Sequence, residues 1–341
     1  METKILSAYS KEEMEEAANI IRQGGLVAFP TETVYGLGAN ALLADGARRI
    51  YLAKGRPSDN PLIVHLANAS DAEKYAYTCD TYYRLAESFM PGPLTVILPK
   101  RDVIPNEVTG GLKTVGIRVP SNETARNLIK LSGVPIAAPS ANLSGKPSTT
   151  KACHVVADLF GKIDGIIDGG DSEIGLESTI VMIDNGIIRM LRPGAVTKEM
   201  IEQLGYTVIL DKAIVEKPGE GERPLAPGMM YRHYAPSAEV TLLDGDDKSI
   251  TEALCKYASQ EGSVVLCYSE DKQISSLKNA YVIGRREDSA NTAHRLFAIL
   301  RELDEMKDIK HIYAALPDNT GIGLAIFNRL VKAAGYKVIK L

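Results

Sequence analysis

The segment best suited to chemistry places two cations two residues apart, Lys54 and Arg56, within YLAKGRPSDNPLIVH (residues 51–65). Lysine supplies a compact charge and arginine a planar fork that matches phosphate oxygens, so this pair suits stabilisation of an anion. Pro57 and Pro61 fix their own φ and push the residues before them away from helix, which predicts an extended, preformed loop. A solvated basic turn is the alternative interpretation, and both cationic side chains are expected to face solvent.

Further basic residues stand beside glycine or proline rather than along a helix face, at Lys113/Arg118, Lys146/Lys151 and Arg189/Arg192. This clustering indicates an anion site. Polar residues also recur at predicted strand ends and tight loops, in PTETVYG, KTVGIRVP, APSANLSGKPST, LESTI and LRPG. Ser140 and Asn142 follow the apolar run PIAA and are expected at the carboxyl end of a buried strand, where ligands bind in open α/β sheets. Taken singly, each of these polar residues has a structural explanation, such as capping a turn.

Two nucleotide-binding motifs are tested and set aside. YGLGANA (residues 35–41) matches G-x-G-x-x-A, but the strand LVAFP stops at Pro30, six residues before the first glycine. The motif needs its strand directly before the glycines and its helix directly after them. A P-loop is also absent, because SGKPST (residues 144–149) lacks the first glycine of G-x-x-x-x-G-K-[ST].

Length and composition predict a globular protein of about two domains. The 341 residues are 45% hydrophobic and 24% charged, and no apolar run is long enough to cross a bilayer. The start, METKILSAYSKEEMEEA, has no apolar core of signal-peptide length, so a soluble, cytoplasmic protein without membrane contact is expected. A net charge of −4 argues against a general positive field that coats nucleic acid, although a local basic groove stays compatible with it.

The four cysteines are scattered, and none forms a C-x-x-C pair or has a histidine at ligand spacing. This spacing indicates neither a disulfide framework nor a zinc site. We therefore interpret Cys79, Cys153, Cys255 and Cys267 as buried thiols.

Hydrophobic periodicity predicts an α/β protein that opens with a helix over KEEMEEAANIIRQG, followed by the short strand LVAFP. Further strands are predicted at 62–66, 94–99, 114–120, 135–140, 165–170, 178–184 and 187–192, with helices at 44–53, 71–89, 122–132 and 149–160. This α/β domain is expected to end near GYTVIL at 205–210. We predict an α/β domain over 1–211, a Pro/Gly-rich linker over 212–237, and a smaller domain over 238–341. Strands and helices alternate in that last domain, which predicts a parallel, Rossmann-like sheet.

Together these stretches resemble the threonylcarbamoyl-AMP synthase family, whose catalytic module is the YrdC-like domain. The resemblance rests on K-G-R-P-x-x-N-P-L, the APSAN run followed by Ser-Gly, and the LRPG turn, in the family's order over roughly 190 residues of the first domain. The segment PGM-x-Y-x-HYAP and the trailing domain are similar to the two-domain form of the enzyme. The fold implied is a twisted mixed sheet around a concave, positively lined cavity.

The resemblance implies a nucleotidyltransferase that condenses L-threonine, bicarbonate and ATP to threonylcarbamoyl-AMP and pyrophosphate. A threonylcarbamoyl transferase downstream would then use this intermediate to modify the tRNA adenosine next to the anticodon. The threonine amine and bicarbonate would form a carbamate, and its oxygen would attack the α-phosphate of ATP. Such a transfer needs mainly positioning and cationic stabilisation, which Lys54 and Arg56 would provide. Mg²⁺ should accompany ATP, and no Asp/Glu cage for it is apparent in the sequence.

The resemblance also implies contacts, position by position. The implied ATP contacts are Arg56, Asn60, Thr114, Ser140, Asn142, Ser148, Arg192 and a linker tyrosine, Tyr234 or else Tyr231. The implied threonine contacts are Thr33, His65, Arg118, Ser178 and the backbone of Ala138. A guanidinium suits the carboxylate of threonine, and hydroxyls suit its hydroxyl and amine.

The apolar and aromatic linker suggests that residues 223–236 fold back over the mouth of the first domain as a lid. Its aromatic residues could instead only join the two domains. Two other functions stay open at this point: a carbamoyl-adenylate module like those of hydrogenase-maturation carbamoyltransferases, whose cysteine-rich segments this chain lacks, and a non-catalytic RNA-binding module with weak RNA contact.

Overall fold

The computed structural model describes residues 2–216, 219, 224–229 and 233–341, which form two units. Of these residues, the first unit contains 2–144, 148–214, 219 and 224–229. The second contains 145–147, 215–216 and 233–341.

The first unit is built on one mixed sheet of eleven strands. The strands are β1 (Lys4–Ser7), β2 (Val27–Phe29), β3 (Gly36–Asn40), β4 (Ile63–His65), β5 (Leu94–Pro99), β6 (Thr114–Arg118), β7 (Ile136–Ala138), β8 (Gly165–Asp168), β9 (Thr179–Asp184), β10 (Ile187–Arg192) and β11 (Thr207–Leu210). Their spatial order is β1-β8-β2-β3-β7-β4-β6-β5-β9-β10-β11. Parallel pairs such as β4 with β6 alternate with antiparallel pairs such as β5 with β6, so the predicted mixed sheet is confirmed.

Six α-helices accompany this sheet within the described residues: α1 (Lys11–Arg22), α2 (Ala44–Lys54), α3 (Asp80–Phe89), α4 (Glu123–Ser132), α5 (Ala152–Leu159) and α6 (Lys198–Glu202). The sequence specifies where several of them begin, since the Ser10 side chain accepts a hydrogen bond from the Glu13 amide and the Asn122 side chain accepts one from Ala125. Helix α1 buries the stripe Met14, Ala17, Ala18 and Ile21 in a core that it shares with Phe29 and the apolar side of α4.

Helix α2 ends at Lys54, and the segment between it and β4, residues 55–62, is called the KGR loop here. Gly55 adopts a left-handed conformation with φ of 62°. The Gly55 amide donates to the Leu52 carbonyl and the Arg56 amide donates to the Tyr51 carbonyl, which is the bond pattern of a Schellman motif. The chain therefore reverses sharply between Lys54 and Arg56, because glycine adopts this conformation without the penalty of a Cβ atom.

A second apolar cluster covers one face of the sheet and includes part of the predicted linker. Ile63, Ile97 and Ile180 from three strands pack with Ala226 and Met229. Ala226 is fully buried and Met229 is 7% exposed. Residues 224–229 are thus a structural part of the first unit. Residues 223 and 230–232 of the proposed lid lie outside the described residues, and residues 233–236 belong to the second unit.

The second unit is a five-stranded parallel sheet, as the alternation of strands and helices predicts. Its strands are β12 (Glu239–Asp244), β13 (Ser263–Tyr268), β14 (Ala280–Gly284), β15 (His311–Ala315) and β16 (Val338–Lys340), in the order β14-β13-β15-β12-β16. The helices between them are α7 (Asp247–Ala258), α8 (Lys272–Ser275), α9 (Ser289–Glu305) and α10 (Gly323–Ala333). No helix in the described part of the chain is long and apolar enough to span a bilayer.

Three local predictions are wrong. The fold opens with strand β1 on the sheet edge, before the first helix. The helix predicted over 71–89 is a 3₁₀ turn (Ala69–Lys74) followed by α3, because the chain between them forms a bridge with the end of β5, where the Tyr77 amide donates to Pro99. Residues 36–40, expected to lie outside any strand, form β3; a Cβ on Gly38 would lie 2.8 Å from the Phe29 ring, so the glycine makes room for that core side chain.

The cysteine interpretation is correct only for Cys267, which is buried in β13. Cys79 and Cys153 are exposed and Cys255 is half-buried. Cys79 stands at the N-cap position directly before α3, and Cys153 lies in the first turn of α5. Both positions are at the surface, where apolar periodicity does not determine burial.

The contribution of residues 224–229 to the first unit is testable with Ala226→Asp. The substitution places an unpaired carboxylate at a fully buried position, and we expect it to cost at least about 2 kcal/mol of unfolding free energy. Urea unfolding followed by circular dichroism measures this cost. The matched control is Ala157→Asp on the exposed side of α5, which should cost less than about 1 kcal/mol. Equal stability of the two variants would show that this segment is not seated on the sheet.

Candidate active site

Strand register places four polar side chains across one face of the first sheet, and we call them the polar row: His65, Arg118, Thr95 and Arg192. His65 of β4 pairs with Arg118 of β6, and Arg118 pairs with Thr95 of β5. Thr95 pairs in turn with Ile180 of β9, which faces Arg192 of β10. Directly paired residues project from the same face of a sheet, so this row lies beside the apolar cluster that residues 224–229 cover.

Arg118 connects the row to the loop between β2 and β3. Its Nη2 atom donates to Glu32 Oε1 at 2.8 Å and to Thr33 Oγ1 at 2.8 Å. The Thr33 hydroxyl lies 2.8 Å from Thr31 Oγ1, and the Thr31 hydroxyl donates to the Val34 carbonyl at 2.6 Å. This chain of hydrogen bonds fixes the loop between β2 and β3 against the end of β6, and it joins two of the predicted threonine contacts, Thr33 and Arg118.

His65 is a buried, neutral member of the row. Burial, reinforced by the charge of Arg118, lowers the pKa of His65 to about 3. Its Nδ1–H donates to the Ile63 carbonyl at 3.1 Å, and its ring meets Phe29 edge-on at 6.0 Å. At neutral pH the row therefore takes its positive charge from arginines and not from this imidazole.

Ser178 joins the two predicted sets of contacts. Its hydroxyl lies 2.8 Å from Thr95 Oγ1, and Arg192 Nη2 donates to it at 3.1 Å. Arg192 also donates to the Ser178 carbonyl at 3.0 Å and, at 3.4 Å, to the Pro227 carbonyl. A predicted ATP contact, Arg192, thus touches a predicted threonine contact, Ser178, and a carbonyl of the segment that covers this face.

Lys54 lies at the end of α2 and binds the loop that follows β7. Its Nζ donates to the Ser140 carbonyl at 2.6 Å and to the Asn142 carbonyl. The Ser140 hydroxyl and the Asn142 side chain are hydrogen-bonded to each other at 2.5 Å. Both residues follow β7, as predicted, and Lys54 holds their backbone in place.

Arg56 closes the KGR loop upon itself. Its guanidinium donates to the Asn60 carbonyl at 3.1 Å, to Asn60 Oδ1 at 2.6 Å and to the Pro61 carbonyl at 3.0 Å. The Asn60 amide donates to the Pro57 carbonyl, which completes a turn. The loop is a hydrogen-bonded turn and not the extended segment that the two prolines predict, because the Arg56 guanidinium draws the Asn60 and Pro61 carbonyls towards it.

The expectation that Lys54 and Arg56 face solvent is wrong. Lys54 is 2% exposed and Arg56 is 9% exposed. The physical reason is that both cations donate to backbone carbonyls, Lys54 to those of the loop after β7 and Arg56 to those of its own loop, and a buried charge is tolerated when it is hydrogen-bonded in this way. Removing either side chain should therefore affect folding as well as any chemistry.

Three further residues were predicted to contact ATP or threonine: Ala138, Thr114 and Ser148. Ala138 pairs with Ile63, which stands two residues before His65 in β4. Thr114 is the first residue of β6 and is half-buried. The Ser148 hydroxyl donates to Glu177 Oε1 at 2.5 Å.

Of the two tyrosines proposed as nucleotide contacts, only Tyr234 lies within the described residues. Tyr234 is a buried residue of the second unit, where its ring lies 5.2 Å from that of Phe297 and 5.4 Å from the Arg329 guanidinium. Tyr231 lies outside the described residues.

Several basic residues that indicated an anion site are paired with carboxylates instead. Arg189 binds Asp211 at 2.6 Å, and Lys151 binds Asp171 at 3.0 Å. Within the described ranges, no group of three or more His, Cys, Asp or Glu residues is arranged to hold a metal ion.

Three participants were missed at the sequence level: Glu32, Thr95 and Glu177. Glu32 lies in the PTETVYG stretch directly before the predicted contact Thr33, and Glu177 lies in LESTI. Thr95 sits inside the apolar strand LTVILP. A hydroxyl within an apolar strand is a usable signal, since such a residue needs a buried partner.

Residues 19–194 match the Sua5/YciO/YrdC family, described as "Telomere recombination", and residues 196–335 match "Threonylcarbamoyl-AMP synthase, C-terminal domain". The chain is similar to threonylcarbamoyl-AMP synthase of Bacillus subtilis, with 46% identity over 96% of this chain and 94% of the relative. It is similar to the Pyrococcus abyssi enzyme of the same name, with 45% identity over 95% of each chain.

The fold is also similar to a solved structure over its whole length. The crystal structure of P. abyssi Sua5 complexed with L-threonine matches with a TM-score of 0.91 and 42% identity, and the match covers all of both chains. The likeness therefore includes both units and the strands that carry the polar row.

The burial of His65 predicts a specific pH dependence of stability. In the folded protein His65 stays neutral down to about pH 3, whereas in the unfolded chain it takes up a proton below about pH 6.5. The unfolded state then binds more protons, so this residue should cost about 2 kcal/mol of stability as pH falls from 7.5 to 5.

Urea unfolding of wild type and His65→Gln at both pH values measures the difference. Wild type should lose about 2 kcal/mol more than the variant, because the other histidines and the carboxylates contribute equally to both proteins. Equal losses would contradict a buried, neutral His65.

Proposed function

The chain belongs to the threonylcarbamoyl-AMP synthase family, and we propose that it condenses L-threonine, bicarbonate and ATP into L-threonylcarbamoyl-AMP with release of pyrophosphate. The product would serve the threonylcarbamoyladenosine modification of tRNA next to the anticodon. The observation that carries this proposal is the buried contact of Arg118 with Thr33, beside Ser178 and Arg192, on a fold similar throughout to an enzyme solved with L-threonine. A guanidinium beside hydroxyls suits an amino acid that carries its own hydroxyl.

The reaction needs the two substrates to meet. The threonine amine adds to the carbon derived from bicarbonate, with loss of water, to form a carbamate. A carbamate oxygen then attacks the α-phosphorus of ATP, and the bond to pyrophosphate breaks. The contact between Ser178 and Arg192 supports such a meeting, because it brings a residue of each predicted set within hydrogen-bond distance. Electrostatic stabilisation of the phosphoryl group by preorganised cations is commonly the largest contribution in this class of reaction.

Lys54 and Arg56 are proposed to have different roles: Lys54 supports a loop of the ATP site, and Arg56 contacts ATP. Lys54 holds the carbonyls of Ser140 and Asn142, so it keeps that loop in the shape that ATP would meet. Arg56 presents a planar fork braced by Asn60, which suits phosphate oxygens. Thr114, Ser148, Tyr234 and Tyr231 stay proposed ATP contacts, and Ala138 stays a proposed backbone contact of threonine.

Mg²⁺ is proposed to enter with ATP, held by phosphate oxygens and water, since the described side chains form no cage for it. A tRNA-modifying threonylcarbamoyl transferase is the proposed downstream partner, and the cytoplasm is the expected compartment.

A non-catalytic RNA-binding module is not favoured. Lys54, Arg118 and Arg192 are each at most 5% exposed and are bound to specific partners within the protein. A nonspecific phosphate backbone is bound instead by accessible cations along a groove. The related carbamoyl-adenylate module is disfavoured by the similarity to threonylcarbamoyl-AMP synthases along nearly the full chain.

The substrate proposal predicts that pyrophosphate release requires ATP, bicarbonate and threonine together. Omitting bicarbonate should abolish release, because the carbamate is the nucleophile. Replacing threonine by alanine should reduce release at least ~10-fold, because the hydroxyl of the pocket would lose its partner. A coupled phosphate assay with pyrophosphatase measures the rates. Equal release with alanine, or release without bicarbonate, would contradict the proposal.

The positioning of Lys54 and Arg56 by Gly55 predicts a variant with a selective loss of turnover. A Cβ on Gly55 has open space around it, so Gly55→Ala should cost only the left-handed backbone penalty of about 1–2 kcal/mol. The same strain displaces the two cations, and we expect pyrophosphate release to fall on the order of 10-fold or more.

The matched control is Gly133→Ala at the end of α4. Gly133 has φ of 66° and open space around its Cβ position, like Gly55, but no predicted site residue adjoins it. The control should lose similar stability in urea unfolding while keeping its turnover. A Gly55→Ala variant with wild-type turnover would show that the geometry of this helix end does not matter for the reaction.

A further inference from the structure

The ion pair between Arg118 and Glu32 is buried and incompletely hydrogen-bonded. Glu32 is 2% exposed and Arg118 is 4% exposed. Each keeps one buried polar atom without a hydrogen-bond partner: the Nε donor of Arg118 and the Oε2 acceptor of Glu32. A charged group left partly unsatisfied in the interior costs free energy, and a ligand that bonds to both residues of this ion pair would remove that cost.

The chemistry of the two open atoms is complementary to a zwitterion. An α-amino acid presents a carboxylate, which accepts hydrogen bonds, and an α-ammonium, which only donates them. These two groups are joined through a single carbon, so a site for both needs a donor and an acceptor close together. The 2.8 Å bond between Arg118 Nη2 and Glu32 Oε1 holds the guanidinium and the carboxylate at such a separation.

Hydrogen bonds fix the backbone on both sides of the Glu32 side chain. Its backbone carbonyl accepts from the Ile174 amide at 2.8 Å, and its neighbours Thr31 and Thr33 are fixed by the hydrogen-bond chain to Val34. The backbone that carries the Glu32 carboxylate is therefore fixed, and the bond from Arg118 to Oε1 orients the carboxylate itself, so the group is preorganised to receive a cation.

We propose that Glu32 binds the α-ammonium of the amino acid substrate, while Arg118 binds its carboxylate. This inference rests on the proposed function and names the residue that recognises the amine. Glu32 then acts as a specificity-determining residue, because it attracts an ammonium more strongly than an uncharged group and repels an anionic group at the same place. It also directs the nitrogen that becomes the carbamate nitrogen.

The alternative is that Glu32 only neutralises and orients Arg118. Both roles predict that loss of the carboxylate harms substrate binding. They differ for a ligand that keeps the carboxylate and the side-chain hydroxyl but has no ammonium. (2S,3R)-2,3-dihydroxybutanoate is such a ligand, since a hydroxyl replaces the amine of L-threonine.

The experiment is isothermal titration calorimetry of the full chain with L-threonine and with (2S,3R)-2,3-dihydroxybutanoate. Wild type and Glu32→Gln are compared, with Glu87→Gln on the exposed side of α3 as the matched control. Glutamine keeps an oxygen that accepts from Arg118 but removes the negative charge. Circular dichroism melting of each protein reports whether it is folded.

We expect wild type to bind threonine about 10- to 100-fold more tightly than the dihydroxy acid, the usual range for one charge-assisted hydrogen bond. Glu32→Gln should weaken threonine binding by a similar factor and leave binding of the dihydroxy acid nearly unchanged. Glu87→Gln should bind both ligands as wild type does.

Two results would overturn the inference while leaving the proposed function standing. Equal affinity of wild type for the two ligands would do so whatever the variants show, even if Glu32→Gln failed to fold. Equal weakening of both ligands in Glu32→Gln would assign the residue to orienting Arg118 alone. Failure of the proposed function looks different, because wild type would then bind no threonine at all, and that result would overturn both proposals.

Discussion

The register of four neighbouring strands is the constraint on which the site depends. Because β4, β6, β5 and β9 pair as they do, His65, Arg118, Thr95 and Ile180 stand side by side on one face. A slip of one residue in any strand would turn its member of the row to the opposite face. The apolar cluster on the same face penalises such a slip, since Ile63 and Ile97 would leave the core together with it.

Burial determines which side chains of the polar row are charged. Around Arg118, the interior lowers the pKa of His65 and leaves a neutral imidazole next to a permanent cation. Residues 224–229 extend this interior, and the contact from Arg192 to the Pro227 carbonyl ties the segment to the row. Electrostatic interactions are stronger in such surroundings than in water, which favours recognition of a charged substrate over loose attraction.

Much of this could be predicted from the sequence, and the exceptions have physical reasons. Periodicity predicted both sheets and most helices because it reports which side of an element is buried. It missed β3, where glycines make room for Phe29, and it predicted that Lys54 faces solvent, because the carbonyls that hold this lysine lie 86 and 88 residues further along the chain. Glu32 was missed for the same reason, since its partner Arg118 is 86 residues away and only the fold brings them together.

The central claim is that the polar row, which contains Arg118, is the binding site of L-threonine. A crystal structure of the full chain grown with L-threonine tests it most directly. We predict electron density for the amino acid with its carboxylate within hydrogen-bond distance of Arg118 and its hydroxyl near the Thr33 or Ser178 side chain. Threonine bound elsewhere, with the Arg118 and Glu32 pair undisturbed and uncontacted, would contradict the claim.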